Sequence, residues 1–359
     1  MSESTEKTRT IIGSEPEPIP TAVVGYGFAG RDFHTYLVSL EPGLQLTAVA
    51  TRDEGRRAAA AETYPDIRTY TTLDELLEKD DARLIIMATP HDTHEPLAVK
   101  ALRAGRHVVV DKAMCLTVAE ADNMIHAAES NNVMLSVFHN RRWDGDYLTL
   151  RSFIDSGALG DVFLIEECVM GYGQPGSWRG EKQSGGGPLY DWGAHFVDHA
   201  VQIGGTPKWV FCDTQRHKWT TDVETYVKCQ IKFESGLLYT VEVGYIAKLS
   251  KPKLFALGSE GAFRKEGVDP QERFMIQKRI REAVEDPDNR ATVKTTLNGI
   301  QTEIRPETIR GDWTSYYRNI AEHLSQGVEL AVKPEGVRTA IHVTESAMKS
   351  AAEGQVVNL

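Results

Sequence analysis

Cysteine is scarce and scattered. The 359-residue chain has four, Cys115, Cys168, Cys212 and Cys229, with no C-x-x-C pair and no accompanying histidine spacing. That excludes a zinc-ribbon type of site and a small disulfide-stapled scaffold, so no metal is expected. Reduced thiols in a cytoplasm are the simplest reading. Long apolar runs are missing too: LIIMA and HVVV fall far below the roughly 18 residues a membrane helix needs. Positive charge is in deficit, with 51 acids against 40 lysines and arginines and a net charge of −11. A field of that sign repels phosphate backbones and anionic lipid, which argues against nucleic acid and membrane as partners. There is no internal repeat and no low-complexity tract. The first twenty residues hold four acids and no apolar core, and are expected to be a polar tail rather than a signal peptide.

What is present is an average globular composition, 41% apolar and 25% charged, in a chain long enough for two domains. Short apolar strands at Thr21–Val24, Leu44–Ala50, Leu84–Ala88, His107–Val110 and Met134–Phe138 alternate with helical stretches. Thr72-Leu-Asp-Glu75 and Thr117-Val-Ala-Glu120 are capping-box signatures at two of the helix starts. Strands that are apolar throughout and separated by helices describe a parallel sheet covered on both faces. Past residue 140 the texture changes. Helices over Tyr147–Ser156 and Asp191–Gly204 flank a strand at Val162–Val169 and a glycine-rich loop. Then β-type stretches run on without helices: Trp209–Thr214, Val223–Phe233, Leu237–Tyr245 and Lys253–Leu257. Glu266–Asn289 reads as a charged surface helix, and Trp313–Gln326 and Pro334–Ala352 as closing helices.

The fold class expected is therefore α/β: a polar tail over 1–20, a doubly wound Rossmann domain over 21–140, and a C-terminal α+β domain over 141–359 with a large, mostly antiparallel open sheet. A helix-free face of that sheet needs covering, which suggests a homodimer or homotetramer.

Gly25-Tyr-Gly27-Phe-Ala-Gly30 follows a strand and opens a helix, the context in which G-x-G-x-x-G cradles a pyrophosphate. Gly25, Gly27, Phe28, Ala29 and Gly30 are thus cofactor candidates. At the end of the second strand, Thr51 stands where an NAD-type carboxylate is usual. Arg52, with Arg56 or Arg57 behind it, can meet a 2′-phosphate, while Asp53 fits either a ribose contact or a helix cap. NADP is preferred over NAD on this reading. Asp111-Lys112-Ala113 lies at a strand's carboxyl end, where doubly wound sheets bind ligands; a solvated loop lysine is the plain alternative. In Asp191-Trp-Gly-Ala-His195-Phe-Val-Asp198, helical offsets place Asp191, His195 and Asp198 on one stripe, extended by Gln202. That stripe is either a solvated face or a histidine oriented by an aspartate one turn earlier. Gly185–Gly187 just before it would let the chain run close to a ligand.

Together these motifs resemble the glucose–fructose oxidoreductase / inositol dehydrogenase (Gfo/Idh/MocA) family over nearly the whole chain. Thr89-Pro90-His91-Asp-Thr-His94 is similar to that family's loop beside the nicotinamide. His139-Asn-Arg-Arg-Trp143-Asp and Thr314-Ser-Tyr-Tyr317 look like the branch containing NADP-dependent scyllo-inositol dehydrogenases. The chain departs from the family at Ala113, where proline is usual, so a cis bond after Lys112 cannot be assumed. The resemblance implies a dehydrogenase moving hydride between nicotinamide and a secondary alcohol of a sugar or cyclitol. Lys112, Asp191 and His195 would be catalytic. Thr89, Pro90, His91, His94, Asp111 and Lys112 would meet the cofactor. Asn140, Arg141, Tyr172, Trp178, Asp191 and His195 would meet the polyol. The alternatives are a redox-neutral, glycosidase-like enzyme that recycles a tightly held cofactor, and a silent NADP-sensing regulator.

Overall fold

The structure, a computed structural model, describes residues 17–359. Most of the stretch read as tail, residues 1–16, lies outside the described residues, and the first strand opens at Ile19 inside the remainder. The first half comprises β1 (Ile19–Val24), α1 (Thr35–Ser39), β2 (Leu44–Ala50), α2 (Glu54–Thr63), β3 (Arg68–Tyr70), α3 (Leu73–Lys79), β4 (Leu84–Met87), α4 (His94–Arg103), β5 (His107–Val110), α5 (Val118–Ser130) and β6 (Leu135–Val137). Its six strands are parallel, in the order β3-β2-β1-β4-β5-β6. The order reverses between β1 and β4, so a crevice opens beyond their carboxyl ends. Burial explains the composition: β4 is buried on every residue, because helices cover both faces. Thr117 and Glu120 form a complete capping box at α5. The helix expected directly after the glycine turn opens instead as a π-helical turn, Ala29–His34, that continues into α1. β3 is three residues long, too short for alternation to announce it.

The second half comprises α6 (Gly145–Asp155), β7 (Val162–Met170), α7 (Trp192–Gly204), β8 (Pro207–Gln215), β9 (Tyr226–Phe233), β10 (Leu238–Gly244), β11 (Leu254–Gly258), β12 (Gly261–Lys265), α8 (Gln271–Ile276), β13 (Thr292–Leu297), β14 (Ile300–Ile304), α9 (Thr314–Gln326), α10 (Pro334–Glu353) and β15 (Val357–Asn358). A nine-stranded sheet runs β14-β13-β12-β11-β7-β10-β9-β8-β15, antiparallel throughout except between β10 and β7. Leu150 of α6 and Phe196, Val197 and Ala200 of α7 pack on its inner face against Ile165, Val227, Tyr239 and Val241. In the same layer Glu167 lies buried with Lys253, His199 and the Tyr239 hydroxyl as partners. Burial alone would raise the Glu167 pKa, but Lys253 and His199 hold it down to about 2.

The expected surface helix over 266–289 is not there. Only α8 and two short 3-10 turns form, because Pro270 and Pro287 interrupt the stretch and Lys278 takes a positive φ of 59°. β13 and β14 were also unanticipated, although Asn298-Gly299 between them, with φ of 52° and 79°, is a hairpin turn.

The closing helices join the two cores. Trp313, Tyr316, Tyr317 and Ile320 pack into the core of the first sheet. Along α10, Val337 and Ile341 enter that core, while Val343 and Ala347 enter the second. No helix among the described residues is long and apolar enough to cross a membrane.

Candidate active site

The glycine turn is shaped by what a side chain would strike. A Cβ at Gly25, where φ is 97°, would lie 2.2 Å from the Ala88 carbonyl oxygen, and one at Gly30 would lie 2.0 Å from that of Gly25. At Gly27 the nearest atom is the tip of Arg56, 3.8 Å away. The first and third glycines are therefore needed by the protein itself. The second opens onto free space at the start of a helix, as a bound pyrophosphate requires. This cradle fits a dinucleotide. Thr89 and Pro90 stand half-buried at the end of β4, beside the same turn.

At the rim, Arg57 donates to the Thr51 carbonyl at 2.6 Å. Asp53 accepts the Arg56 amide at 2.9 Å as the N-cap of α2, so the cap reading accounts for it. Arg52 is exposed and forms no ion pair among the described residues.

The loop after β5 carries Asp111 and Lys112 into the crevice, and the Lys112–Ala113 bond is cis despite the missing proline. His91 and His94 hold this loop from behind. The Ala113 amide donates to His91 Nε2 at 3.1 Å, so Nδ1 bears the proton and donates to the Gly185 carbonyl at 2.9 Å. Burial, with His94 and Lys112 nearby, lowers the His91 pKa to about 3. His94 meets the carbonyls of Ala113 and Thr89. Both rings were expected to touch the cofactor. Their nitrogens instead face backbone groups, so they position the lysine loop. Asp111 accepts the Lys112 amide at 2.8 Å and lies 3.7 Å from His34 Nε2; the other nitrogen of His34 bonds the Tyr317 hydroxyl. Burial would raise the Asp111 pKa, but His34 and Lys112 hold it well below the usual carboxylate range.

Across the cleft, Lys112 Nζ donates to both the carbonyl and Oδ1 of Asp191, each at 2.9 Å. Arg179 Nε at 3.4 Å and the Tyr245 hydroxyl at 3.1 Å complete that carboxylate's partners. Burial opposes ionisation of Asp191, yet Lys112 and Arg179 hold its pKa well below normal. The expected Asp191–His195 pair does not form. Asp191 precedes the first turn of α7, at φ −83° and ψ −89°, so the i,i+4 geometry of a continuous helix is not available to it.

His195 is 5% exposed and lines the same cleft as Lys112. Burial first, then the positive Lys112 and Arg141, push its pKa well below 6.5, so the ring is neutral. Asp198 is fully buried in a bidentate pair with Arg142, so the polar stripe of α7 is buried at His195 and Asp198 and reaches solvent at Gln202.

The cleft, about 230 Å³, draws Phe28 and Lys112 from the first half and Arg179, Asp191, Trp192 and His195 from the second. Asn140 and Arg141 also line it. Arg141, however, is already engaged by Asp144 and Glu272 and lies over the rings of Trp192 and Trp313. Two expected substrate contacts fall elsewhere. Tyr172 is 44% exposed and packs on Trp219, and Trp178 packs edge-to-face on His91 with ring centroids 4.6 Å apart. The nearby glycines let protein approach protein: a Cβ at Gly185 would meet Leu116 and His91, and one at Gly186 the Arg179 carbonyl. Arg179, Tyr245 and His34 were missed, since nothing local in the sequence marks a partner so far away along the chain. Among the described residues no group of His, Cys, Asp or Glu is arranged to hold a metal ion.

Two family models match the chain. One, described as an oxidoreductase family with an NAD-binding Rossmann fold, matches residues 19–139; the other, the GFO/IDH/MocA C-terminal domain, matches 147–264. The chain is 29% identical to scyllo-inositol 2-dehydrogenase (NADP(+)) IolW of Bacillus subtilis, over 96% of each. It is 30% identical to the uncharacterized oxidoreductase YdgJ of Escherichia coli, over 93% of this chain and 96% of the relative. The solved structure of yvaA from Bacillus subtilis superposes with a TM-score of 0.90 at 27% identity, covering 96% of this chain and 100% of that one.

The glycine turn yields a paired test. Gly27→Val is expected to leave thermal unfolding unchanged while weakening dinucleotide binding by roughly tenfold or more, about 1.4 kcal/mol. Gly30→Val, driven against the Gly25 carbonyl, is expected to lose about 1–3 kcal/mol of stability. Calorimetry and cofactor titration separate the two, and equal behaviour of the variants would contradict the assignment.

Proposed function

The chain belongs to the GFO/IDH/MocA oxidoreductase family, and on that premise we propose that it is an NADP-preferring dehydrogenase of a sugar or cyclitol secondary alcohol. One observation carries the reading: an ammonium anchored on a buried carboxylate shares a small cleft with a neutral imidazole. Gly25, Gly27, Phe28, Ala29 and Gly30 would hold the pyrophosphate, and Thr51, Arg52 and Arg56 the adenosine ribose. Thr89, Pro90, Asp111 and Lys112 would border the nicotinamide, which supplies the hydride acceptor or donor when bound.

The protein's part is to orient the alcohol and move its proton. His195, neutral because it is buried among cations, takes the hydroxyl proton during oxidation and returns it during reduction. Lys112 has three N–H bonds, two directed at Asp191, and the third steadies the negative charge that develops on the reacting oxygen. Asp191 fixes Lys112 in place, and Asn140 adds a hydrogen-bonding group for a second hydroxyl.

Preference for NADP is supported by the printed name of the Bacillus subtilis relative. It is also supported by Thr51 at the strand end and by an exposed Arg52 that forms no ion pair among the described residues. Four buried, unbridged thiols suit a reducing cytoplasm. The outer face of the second sheet carries Leu164, Phe211, Leu238 and Phe255, half-buried and opposite the helices, as a surface for a homodimer or homotetramer.

Screening inositols and sugars with NADP and NAD, reading reduced nicotinamide absorbance, tests the reading; no turnover with any polyol would defeat it. His195→Ala is expected to lower kcat by roughly 10²–10⁴-fold with cofactor affinity retained. Arg52→Ala is expected to raise KM for NADP well above any change for NAD, and equal changes would refute the phosphate contact. Light scattering is expected to give a dimer or tetramer, and a monomer would exclude the sheet interface.

A further inference from the structure

Beneath the cleft lies a second imidazole that the mechanism above does not use. His139, at the end of the β6 segment, is 3% exposed, and its ring meets that of His195 edge to face with centroids 5.9 Å apart. Each ring has an Nδ1 that is buried without a hydrogen-bond partner. Buried polar atoms are nearly always satisfied in a folded interior, so two such nitrogens in neighbouring rings call for a partner. Behind His139, Asp198 Oδ2 lies 3.7 Å from Nδ1, and Asp198 is itself held by Arg142 at 2.7 and 2.8 Å. The order from the cleft inward is therefore imidazole, imidazole, carboxylate, guanidinium.

We propose that His139 is the proton partner of His195, forming a two-imidazole relay that removes the substrate proton from the cleft floor and returns it. This rests on the dehydrogenase reading above. In oxidation the hydroxyl O–H breaks and its proton binds the cleft-facing nitrogen of His195. His195 then releases the proton on its buried Nδ1 to the neighbouring His139 ring. His139 becomes an imidazolium beside Asp198, and His195 is neutral again while the carbonyl product still faces Lys112. After product leaves, His139 returns the proton to Nδ1 of His195, whose cleft-facing nitrogen releases one to solvent and so restores the starting tautomer; reduction runs the same path backwards. One proton moves in each turnover and none is left over.

The charges around the two rings favour this direction. His195 faces Lys112, Arg141, His139 and His199, with no carboxylate among its strongest influences. Burial lowers the His139 pKa too, and Arg142, His199 and Lys112 act with it, but Asp198 opposes them and the value is about 4. A proton on the inner ring thus has a counter-charge that a proton on the outer ring lacks. His139 is a positioning and relay residue, since it touches His195 and not the substrate.

The test uses the full-length protein labelled with 15N in histidine. Ring nitrogen shifts at neutral pH report which nitrogen of His139 bears the proton, with His139→Gln assigning the signal. If the rings share a proton path, His195→Gln inverts or mixes the His139 tautomer; an identical tautomer in both proteins overturns the relay. This arm needs no substrate, so it decides the relay even if no polyol is turned over and the dehydrogenase reading falls. Kinetics supply the second arm. His139→Gln is expected to lower kcat on the order of tenfold, with KM and NADP affinity little changed and a larger solvent deuterium isotope effect. An unchanged isotope effect, whether kcat is retained or lost, likewise overturns it, because a merely structural role would leave proton transfer no slower relative to the other steps.

Discussion

The contact between Lys112 and Asp191 is the constraint on which the rest of the site depends. It joins the end of β5 in one sheet to the start of α7 on the other, 79 residues away along the chain. Both side chains are mostly buried, at 14% and 16% exposure. Pairs of this kind contribute little net stability, because removing two charges from water offsets most of their attraction. Their value lies in geometry. With two of its N–H bonds fixed on one residue, the ammonium has a single direction left for a third, and that direction is set by the protein before any substrate arrives. Arg179 on Oδ1 and the Tyr245 hydroxyl on Oδ2 add two further donors to the Asp191 carboxylate, so it cannot rotate away without leaving donors unsatisfied.

Around this pair, histidines serve as struts. Six of the eleven are buried, far more than a pH sensor needs, and most have ring nitrogens committed to fixed partners. His91 shows why the residue type matters. Its ring donates at one nitrogen and accepts at the other, so it bonds the Gly185 carbonyl and the Ala113 amide at once. A lysine or arginine has no acceptor and would bring a charge beside Lys112; a glutamine lacks the rigid ring. His195 differs from these struts because no such partner occupies its nitrogens, which leaves it free for proton chemistry.

The sequence carried the local part of this architecture well and the remote part poorly. The glycine turn, the capping box at Thr117 and the strand-end lysine are read within a few residues, and each lies on the element where the sequence places it. The pairing of Asp191 was misassigned because helical spacing presumes a continuous helix, and one non-helical residue at the N-cap removes the relation. Tyr172 was misplaced because a glycine-rich loop has no periodicity from which to judge direction. The charged run after Glu266 looked helical by composition, yet its Asp269 and Gln271 are buried and bonded to Gly145, Trp143 and Trp313. Such residues answer to neighbours 42 to 128 positions away, and no local pattern encodes that.

The last helices show how far the site extends. The Trp313 indole donates to Asp144, which also pairs with Arg141 on the cleft wall. Tyr317 bonds His34, whose other nitrogen faces Asp111, the neighbour of Lys112. α10 meanwhile inserts side chains into both hydrophobic cores. Close-packed interiors resist deformation, so a helix shared by two cores fixes the angle between them. The separation of Lys112 and His195 then follows from core packing far from the cleft, and the weak ion pair needs only to select an orientation within a frame that is already rigid.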